Sequence, residues 1–383
     1  MNRFLTFIML AASSLHLLAQ DSAQDTTLLL EVQVRPRSEW RDGYKRVRGS
    51  EVRELHTDQR TRIGLTAGVG KFSAKAGFQD VRLWSNDGNA GVQGLYEAWV
   101  RWQPRPNTSL IAGRQRISLD NERILGGLDW SQTGRFFDGI SLEKRGESAT
   151  TLLAITTDAT TQSKQFILHH AWSSERTRIS GLVFHVAGPD PSFSGFTAGA
   201  TARHNFDAGW WLEAEAYGQK WSDASAWGTY GTGTVGRNWS EAHATQLAID
   251  RLSDAASGAA FSPFLGTNHR HYGWIDHFYV GGDADGLLDG QIRHDARLRS
   301  SLWTARFHHF RVPSSGALLG NEFDLGLTIK PAPGVVFQIG GALFATAEAH
   351  HERQGAPFPV NAADRLQRWA WTSLSIHPQI RVR

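Results

Sequence analysis

Apolar and polar residues alternate at every second position along most of this chain of 383 residues. In the segment 322–329, for example, a polar residue or a glycine precedes each of Phe323, Leu325, Leu327 and Ile329. Successive side chains of a β-strand point to opposite faces, so this period of two predicts strands with one apolar and one polar face.

The same alternation recurs from the beginning of the chain to its end. The segments that show it are 26–37, 59–69, 72–79, 96–103, 109–115, 134–145, 150–157, 165–172, 178–187, 196–205, 210–221, 242–252, 289–299, 302–312, 322–330, 335–346 and 366–377. Short turns and long polar loops alternate between them. The pattern predicts an all-β fold, a transmembrane antiparallel β-barrel of about 16–18 strands with long loops partly folded into the lumen.

The stretch 94–144 shows this organisation within a short length of chain. One face of its first strand is predicted to be apolar and to carry Tyr96, Ala98, Val100 and Trp102. The opposite face is predicted to be polar and to carry Glu97, Arg101 and Gln103. The turn 104–107 contains two prolines and an asparagine, residues that favour turn backbone. A long charged loop, 118–133, then leads to the strand 134–145.

The N-terminus has the form of a secretory signal peptide. Asn2 and Arg3 precede an apolar run, 4–18, that is too short to span a bilayer with ease. We expect cleavage after Ala19, with Ala23 as a second possibility and an uncleaved anchor helix as the alternative. The mature chain, 20–383, has no composition break and is expected to be a single unit located in the outer membrane of a Gram-negative-type cell.

Composition narrows the possible functions. The sequence has no cysteine, which excludes disulfides, cysteine-ligated zinc and a thiol nucleophile. Of its 40 basic residues, 33 are arginine, and the net charge is only +3. Arginine binds carboxylates through two parallel hydrogen bonds, so the surplus favours an interior surface for anionic groups. An arginine-rich genome would give the same surplus. The arginines are scattered at strand rhythm, which argues against nucleic acid.

Aromatic residues give a second, weaker indication of a membrane barrel. Six of the 15 tryptophans lie in pairs near predicted strand ends: Trp99, Trp102, Trp210, Trp211, Trp369 and Trp371. Aromatic girdles at both membrane interfaces are typical of outer-membrane barrels. The core of a β-sandwich would also use tryptophan.

The sequence has no G-x-S-x-G nucleophile motif, no phosphate-binding glycine-rich loop and no H-E-x-x-H metal motif, so the chain is not expected to be an enzyme or to hold a cofactor. The strongest metal-like cluster combines His269 and His271 with Asp276 or His277. Loop histidines that pack or form hydrogen bonds are the preferred interpretation.

Two carboxylate pairs could also carry chemistry. The segment 281–286 resembles a calcium-type turn around Asp283 and Asp285, but it lacks the other ligands at the spacing of a calcium loop. Asp120 and Glu122 have a spacing that a glycosidase or a calcium loop could use. We prefer solvated loops, and we predict no metal.

Arg123, Trp130, Arg135 and Asp138 lie in the long loop and the strand after it. An arginine–aspartate pair there could fix the loop against the barrel wall. It could also form a charged constriction, because a loop folded inward narrows a barrel and arginines in a pore select anions. The sequence is compatible with both.

Several segments resemble the alginate export family of outer-membrane barrels. They are 97–100, 112–115, 121–126, Trp130, 134–139, 266–276, 286–289 and 320–325. The resemblance implies a monomeric, 18-stranded barrel whose arginine-rich lumen passes an anionic polyuronate from the periplasm to the exterior. It also implies pore-lining, anion-binding roles for Arg114, Arg123, Arg135 and Asp138. The chain departs from the family in its short length and in lacking a terminal aromatic residue.

The alternation adds Arg101, Arg293 and Arg306 as further pore-lining candidates. The predicted function is passive transport of an anionic polysaccharide or related solute, and a periplasmic export scaffold is a candidate partner. An uptake porin for small organic acids or oligosaccharides is the alternative, and a barrel-borne hydrolase is a third hypothesis.

Overall fold

A computed structural model describes residues 26–47, 53–84, 91–158, 161–190, 192, 194–280 and 283–382. The predicted signal peptide lies outside these residues. Nineteen β-strands in the described part of the chain form one continuous antiparallel sheet. The strands are β1 (Thr26–Asp42), β2 (Glu54–Val69), β3 (Phe72–Leu83), β4 (Gly91–Arg105), β5 (Thr108–Gln115), β6 (Phe137–Arg145), β7 (Ala149–Asp158), β8 (Ser163–Ser173), β9 (Thr177–Ala187), β10 (Gly195–Asn205), β11 (Trp210–Trp221), β12 (Gly228–Asn238), β13 (His243–Leu252), β14 (Leu287–Leu298), β15 (Ser301–Arg311), β16 (Leu318–Ala332), β17 (Val335–Thr346), β18 (Leu366–Ile376) and β19 (Gln379–Val382).

The sheet closes on itself as a barrel. From β1 to β18, each strand pairs with the next one in the chain, and β1 also pairs with both β18 and β19. These last two strands together occupy one position of the wall. They are separated at Pro378, whose carbonyl still accepts a hydrogen bond from the Val32 amide at 3.2 Å. The predicted β-barrel is therefore confirmed, with 18 strand positions. Closure leaves no unpaired sheet edge in the membrane.

Turns and loops alternate around the barrel, as the sequence predicts. Turns of two to four residues join β2 to β3, β4 to β5, and the following alternate pairs. Long connections lie at the opposite end. Three of them are named here loop A (116–136), loop B (253–286) and loop C (347–365). Loop C contains one short helix, α1 (Glu348–Arg353). Among the described residues, no helix is long and apolar enough to cross a membrane.

The two faces of the wall differ as the alternation predicts. Large apolar residues are exposed on the outside of most strands, among them Ile63, Leu142, Ile155, Leu168, Ile249, Phe323 and Ile339. Polar residues of the alternate positions are buried inside, among them Arg60, Glu215, Asp250, Gln291, His308 and Asp324. An apolar exterior and a polar interior are what a barrel in lipid requires.

Aromatic residues ring the outer surface near the short turns. Phe72 and Trp102 stack there with ring centroids 6.5 Å apart, and Trp172, Trp210 and Trp303 are also exposed. Trp211, Trp369 and Trp371 do not belong to a girdle, contrary to the sequence expectation. Trp211 is buried on the inward face of β11, and the other two are buried on the inward face of β18.

The structure differs from the sequence prediction at two further points. Strand β12 was not predicted from the sequence. Tyr96 was expected on the apolar face of β4, but it points inward. The pairing of β3 with β4 skips one residue, because Gly77 faces Glu97 while Phe78 faces Leu95. This β-bulge turns Tyr96 and Glu97 to the same side. The Tyr96 ring lies under the guanidinium of Arg62 at 3.5 Å.

Candidate functional site: the arginine-lined interior

Loop A crosses the interior and binds two distant parts of the wall. At one side Arg123 forms ion pairs with Glu215 of β11 at 3.2 Å and with Asp250 of β13 at 3.1 Å. At the other side the segment 129–133 lies on β1 and β2. In a closed ring of 18 strands, β1 and β11 face each other, so the loop spans the lumen.

The arginines of β1 and β2 hold the tip of loop A through its backbone. Arg35 donates hydrogen bonds to the carbonyls of Asp129 at 2.6 Å, Trp130 at 3.1 Å and Ser131 at 3.0 Å. Its neighbour in the ladder, Arg60, donates to the Ser131 carbonyl at 3.2 Å. Two like charges side by side would repel each other, so these oriented carbonyl dipoles stabilise the pair.

One carboxylate of loop A also meets three guanidinium groups. The Oδ1 atom of Asp129 lies 3.2 Å from Arg60, 3.4 Å from Arg62 and 3.9 Å from Arg116. Burial alone would raise the pKa of this carboxyl group, but Arg60 and three further arginines outweigh burial and lower it. Asp129 is therefore ionised at neutral pH, and we name Asp129 with these three arginines the Asp129 cluster.

Loops A and B are joined inside the barrel. A parallel bridge pairs Leu125 with Leu265, and the Thr267 hydroxyl donates to Glu122 at 2.6 Å. Arg135 donates to carbonyls of both loops, at Gly126 (3.0 Å) and at Leu265. Burial lowers the pKa of the Arg135 guanidinium to about 10, so it stays charged at neutral pH.

A histidine latch joins loop B to loop C; it consists of His277, Asp283 and His350. The Nε2 atom of His350 lies 2.9 Å from Nδ1 of His277, and its Nδ1 atom lies 3.3 Å from Asp283. Arg353 of α1 also pairs with Asp283. Burial lowers the pKa of both histidines, and the proximity of His350 lowers that of His277 further. The latch is thus assembled with uncharged imidazoles.

Trp130, at the tip of loop A, packs against the inner wall. Its ring stacks on His269 with centroids 4.5 Å apart and meets Trp371 edge-on at 4.7 Å. The guanidinium of Arg37 lies 4.6 Å from its centroid. Aromatic and cation–π contacts of this kind stabilise a buried loop position.

Three cavities surround loop A, and charged residues line all of them. Cavity 1 has a volume of about 190 Å³, cavity 2 about 390 Å³ and cavity 3 about 550 Å³. Asp129 lines cavities 1 and 2, and Arg116 lines cavities 1 and 3. Together the cavities are lined by nine arginine and lysine residues and six acidic residues. The lining of these three cavities thus has an excess of positive charge.

The pore-lining candidates do not all lie inside. Arg114 and Asp138 are register partners that share a face with Ala112 and the exposed Ile140, and they form a 2.7 Å ion pair on the outer surface. The expectation that these two line the pore is wrong, because the alternation of β5 and β6 turns them outward.

The remaining candidates do face the interior. Arg123 and Arg135 fix loop A, as described above. Arg101 lines cavity 3, and Arg293 and Arg306 line cavity 2. Their role in anion binding stays a prediction.

Sequence reasoning did not single out the arginines that hold loop A. Arg35, Arg60 and Arg62 belong to predicted alternating segments, whereas Arg116 lies between a predicted strand and the predicted loop. The alternation could have pointed to the first three, since the inward positions of β1 and β2 carry arginine repeatedly.

The possible metal ligands have other partners in the structure. His269 bonds to Asp276 at 2.7 Å, while His271 contacts the Asn121 carbonyl at 3.1 Å. Within the described ranges, no three His, Asp or Glu side chains form a group that could hold a metal ion. The calcium-type turn lies partly outside those ranges; of its carboxylates, Asp283 belongs to the histidine latch.

The closed barrel with an apolar exterior and a polar, loop-filled interior defines the fold of an outer-membrane β-barrel. Three solved structures from Pseudomonas aeruginosa share this fold. OccK9 (OpdG) has 12% sequence identity and a TM-score of 0.67, covering 92% of this chain and 98% of its own. OccK11 (OpdR) has 11% identity and a TM-score of 0.64, covering 94% and 97%. OpdK, crystallised with vanillate, has 12% identity and a TM-score of 0.63, covering 92% and 99%.

No protein-family model matches the sequence, and no curated protein matches it. The resemblance to the alginate export family therefore has no support from these comparisons, whereas the outer-membrane porin fold does.

Proposed function

We propose that this protein is an outer-membrane channel for passive uptake of small organic acids. The observation that carries the proposal is the Asp129 cluster, in which Arg60, Arg62 and Arg116 converge on one carboxylate inside the barrel. The same arrangement suits the carboxylate of a solute, because guanidinium groups bind carboxylates with matched geometry. Passive transport follows the gradient, so consumption of the acid inside the cell gives uptake.

The dimensions of the interior support a small solute over a polymer. Loops A, B and C cross the lumen and leave cavities of about 190, 390 and 550 Å³. Pockets of a few hundred cubic ångströms suit small molecules. OpdK was crystallised with vanillate, which is a small aromatic carboxylate, and its fold resembles this one. Export of an anionic polysaccharide remains the second candidate, since the lining charge would also attract a polyuronate.

The proposal is tested by reconstituting the protein in planar bilayers and measuring the permeability of anions relative to cations. We expect anion selectivity, and we expect swelling of protein-containing liposomes in small carboxylates but not in polymannuronate. Arg62→Ala should lower the anion preference, because it removes a charge from the lumen. Arg114→Ala is the matched control, since Arg114 lies on the outer surface, and it should preserve the preference.

The result that would overturn the proposal is a channel without anion preference. Permeation by polymannuronate together with exclusion of small acids would instead support export.

A further inference from the structure

Asp129 contributes to the lining of two of the three cavities. It lines both cavity 1 and cavity 2, and among the described residues it is the one common to their linings. Its side chain is 56% exposed, although it contacts three arginines. All three contacts use the same oxygen, Oδ1. The three arginines differ in exposure, since the side chain of Arg60 is buried whereas those of Arg62 and Arg116 are 13% and 39% exposed. Ion pairs that water reaches are weak, so Asp129 is displaced more easily from Arg62 and Arg116 than from Arg60.

Arg60, Arg62 and Arg116 together carry more positive charge than the acidic side chain they contact neutralises. The nearest acids of cavity 1 are already engaged, because Lys75 lies 2.9 Å from both Glu31 and Glu97. Asp129 is therefore one carboxylate shared among three guanidinium groups. A second carboxylate arriving from either cavity would find cations of matched chemistry, held in place by the wall and by loop A.

We propose that Asp129 is a tethered competitor for the solute: the carboxylate of the transported acid displaces it from Arg60, Arg62 and Arg116. This inference rests on the proposed function, and it explains how the channel limits its affinity for the transported acid. Displacement keeps the arginines paired at every stage and prevents the solute from binding too tightly to leave. Asp129 is thus a specificity-determining residue, because only a solute that can replace a carboxylate exchanges with it.

The test measures how acetate lowers chloride current through the reconstituted wild-type protein, Asp129→Asn and Glu97→Gln. Glu97→Gln is the matched control, because it removes one negative charge from the same cavity without touching the three arginines. We expect the half-saturating acetate concentration to fall on the order of tenfold in Asp129→Asn, as loss of a tethered competitor requires. The shift in Glu97→Gln should be clearly smaller.

Folding of each variant is checked by the heat-dependent gel mobility of the barrel. If Asp129→Asn does not fold, Asp129→Ser removes the same carboxylate. In the wild-type protein, acetate should also change the fluorescence of Trp130, the neighbour of Asp129, and chloride should not. That signal is isolated by comparison with Trp130→Phe.

The outcomes separate the two proposals. Unchanged acetate affinity in the Asp129 variants, or equal shifts in Asp129→Asn and Glu97→Gln, would overturn the competitor and leave the channel function intact. A wild-type channel whose current does not respond to acetate and shows no anion preference would overturn the proposed function itself.

Discussion

Arg123 gives the sharpest test of how loop A is held across the lumen. Its guanidinium is buried, and its partners Glu215 and Asp250 have side-chain exposures of 1% and 0%. Arg123→Ala leaves both carboxylates buried without their cation. Breaking a buried ion pair in this way costs about 3–5 kcal/mol. At about 1.4 kcal/mol per factor of ten, the equilibrium between docked and released loop A shifts by roughly 100- to 4,000-fold.

The assay combines single-channel conductance with the urea midpoint of the folded barrel in detergent. We expect Arg123→Ala to raise the conductance and to make it fluctuate, because loop A leaves the lumen for part of the time. Lower pH should reduce the defect, since protonation neutralises carboxylates that have lost their partner. Arg176→Ala is the control, because the Arg176–Asp207 pair is exposed and contributes about 0–1 kcal/mol. Wild-type conductance and midpoint in Arg123→Ala would refute the reasoning.

Three further perturbations address other parts of the interior. The histidine latch should weaken in acid, because the lowered pKa values mean that its stability is present above the ordinary histidine pKa of 6.5 and is lost as pH falls below it. The protection factors of the α1 amides, corrected for the intrinsic pH dependence of hydrogen exchange, should therefore fall at pH 5, and pH-independent protection factors would contradict this. Trp130→Ala should increase conductance, because each aromatic contact it loses contributes about 0.5–1.5 kcal/mol; an unaltered current would show that the ring does not hold loop A. Gly134→Ala should destabilise loop A by about 1 kcal/mol or more, since Gly134 has a φ of +68° and an added Cβ would lie 2.8 Å from Arg62; a wild-type melting curve would argue against strain there.

The fold was largely predictable because most strands carry their own signal. Strand β11 was predicted with its observed limits, Trp210–Trp221, and so was β17. Strand β12 was missed because two of its outward positions are Gly231 and Gly233, which give no apolar alternation. Its existence depends on pairing with β11 and β13, which is a property of the closed sheet and not of the segment itself.

The candidate site was less predictable, because register decides which face a charge occupies. Arg114 and Arg62 look alike in the sequence, and each alternates with apolar residues. Only the ladder shows that Arg114 pairs with Asp138 outside while Arg62 faces the lumen. The bulge at Tyr96 is a second example, since one extra residue reverses the orientation that simple counting assigns. Contacts between loop A and β1 join residues more than 90 positions apart, which no local pattern encodes.

The attachment of loop A to opposite walls has a consequence for biogenesis. Arg35 belongs to the first strand, whereas Asp250 is 127 positions after Arg123 and belongs to the thirteenth. Loop A can make all of its contacts only after most of the wall has formed, because Glu215 and Asp250 come after it in the chain. Contacts of such long sequence separation form late in folding. We therefore expect the interior of a nascent barrel to stay wide until loop A docks, near the end of assembly.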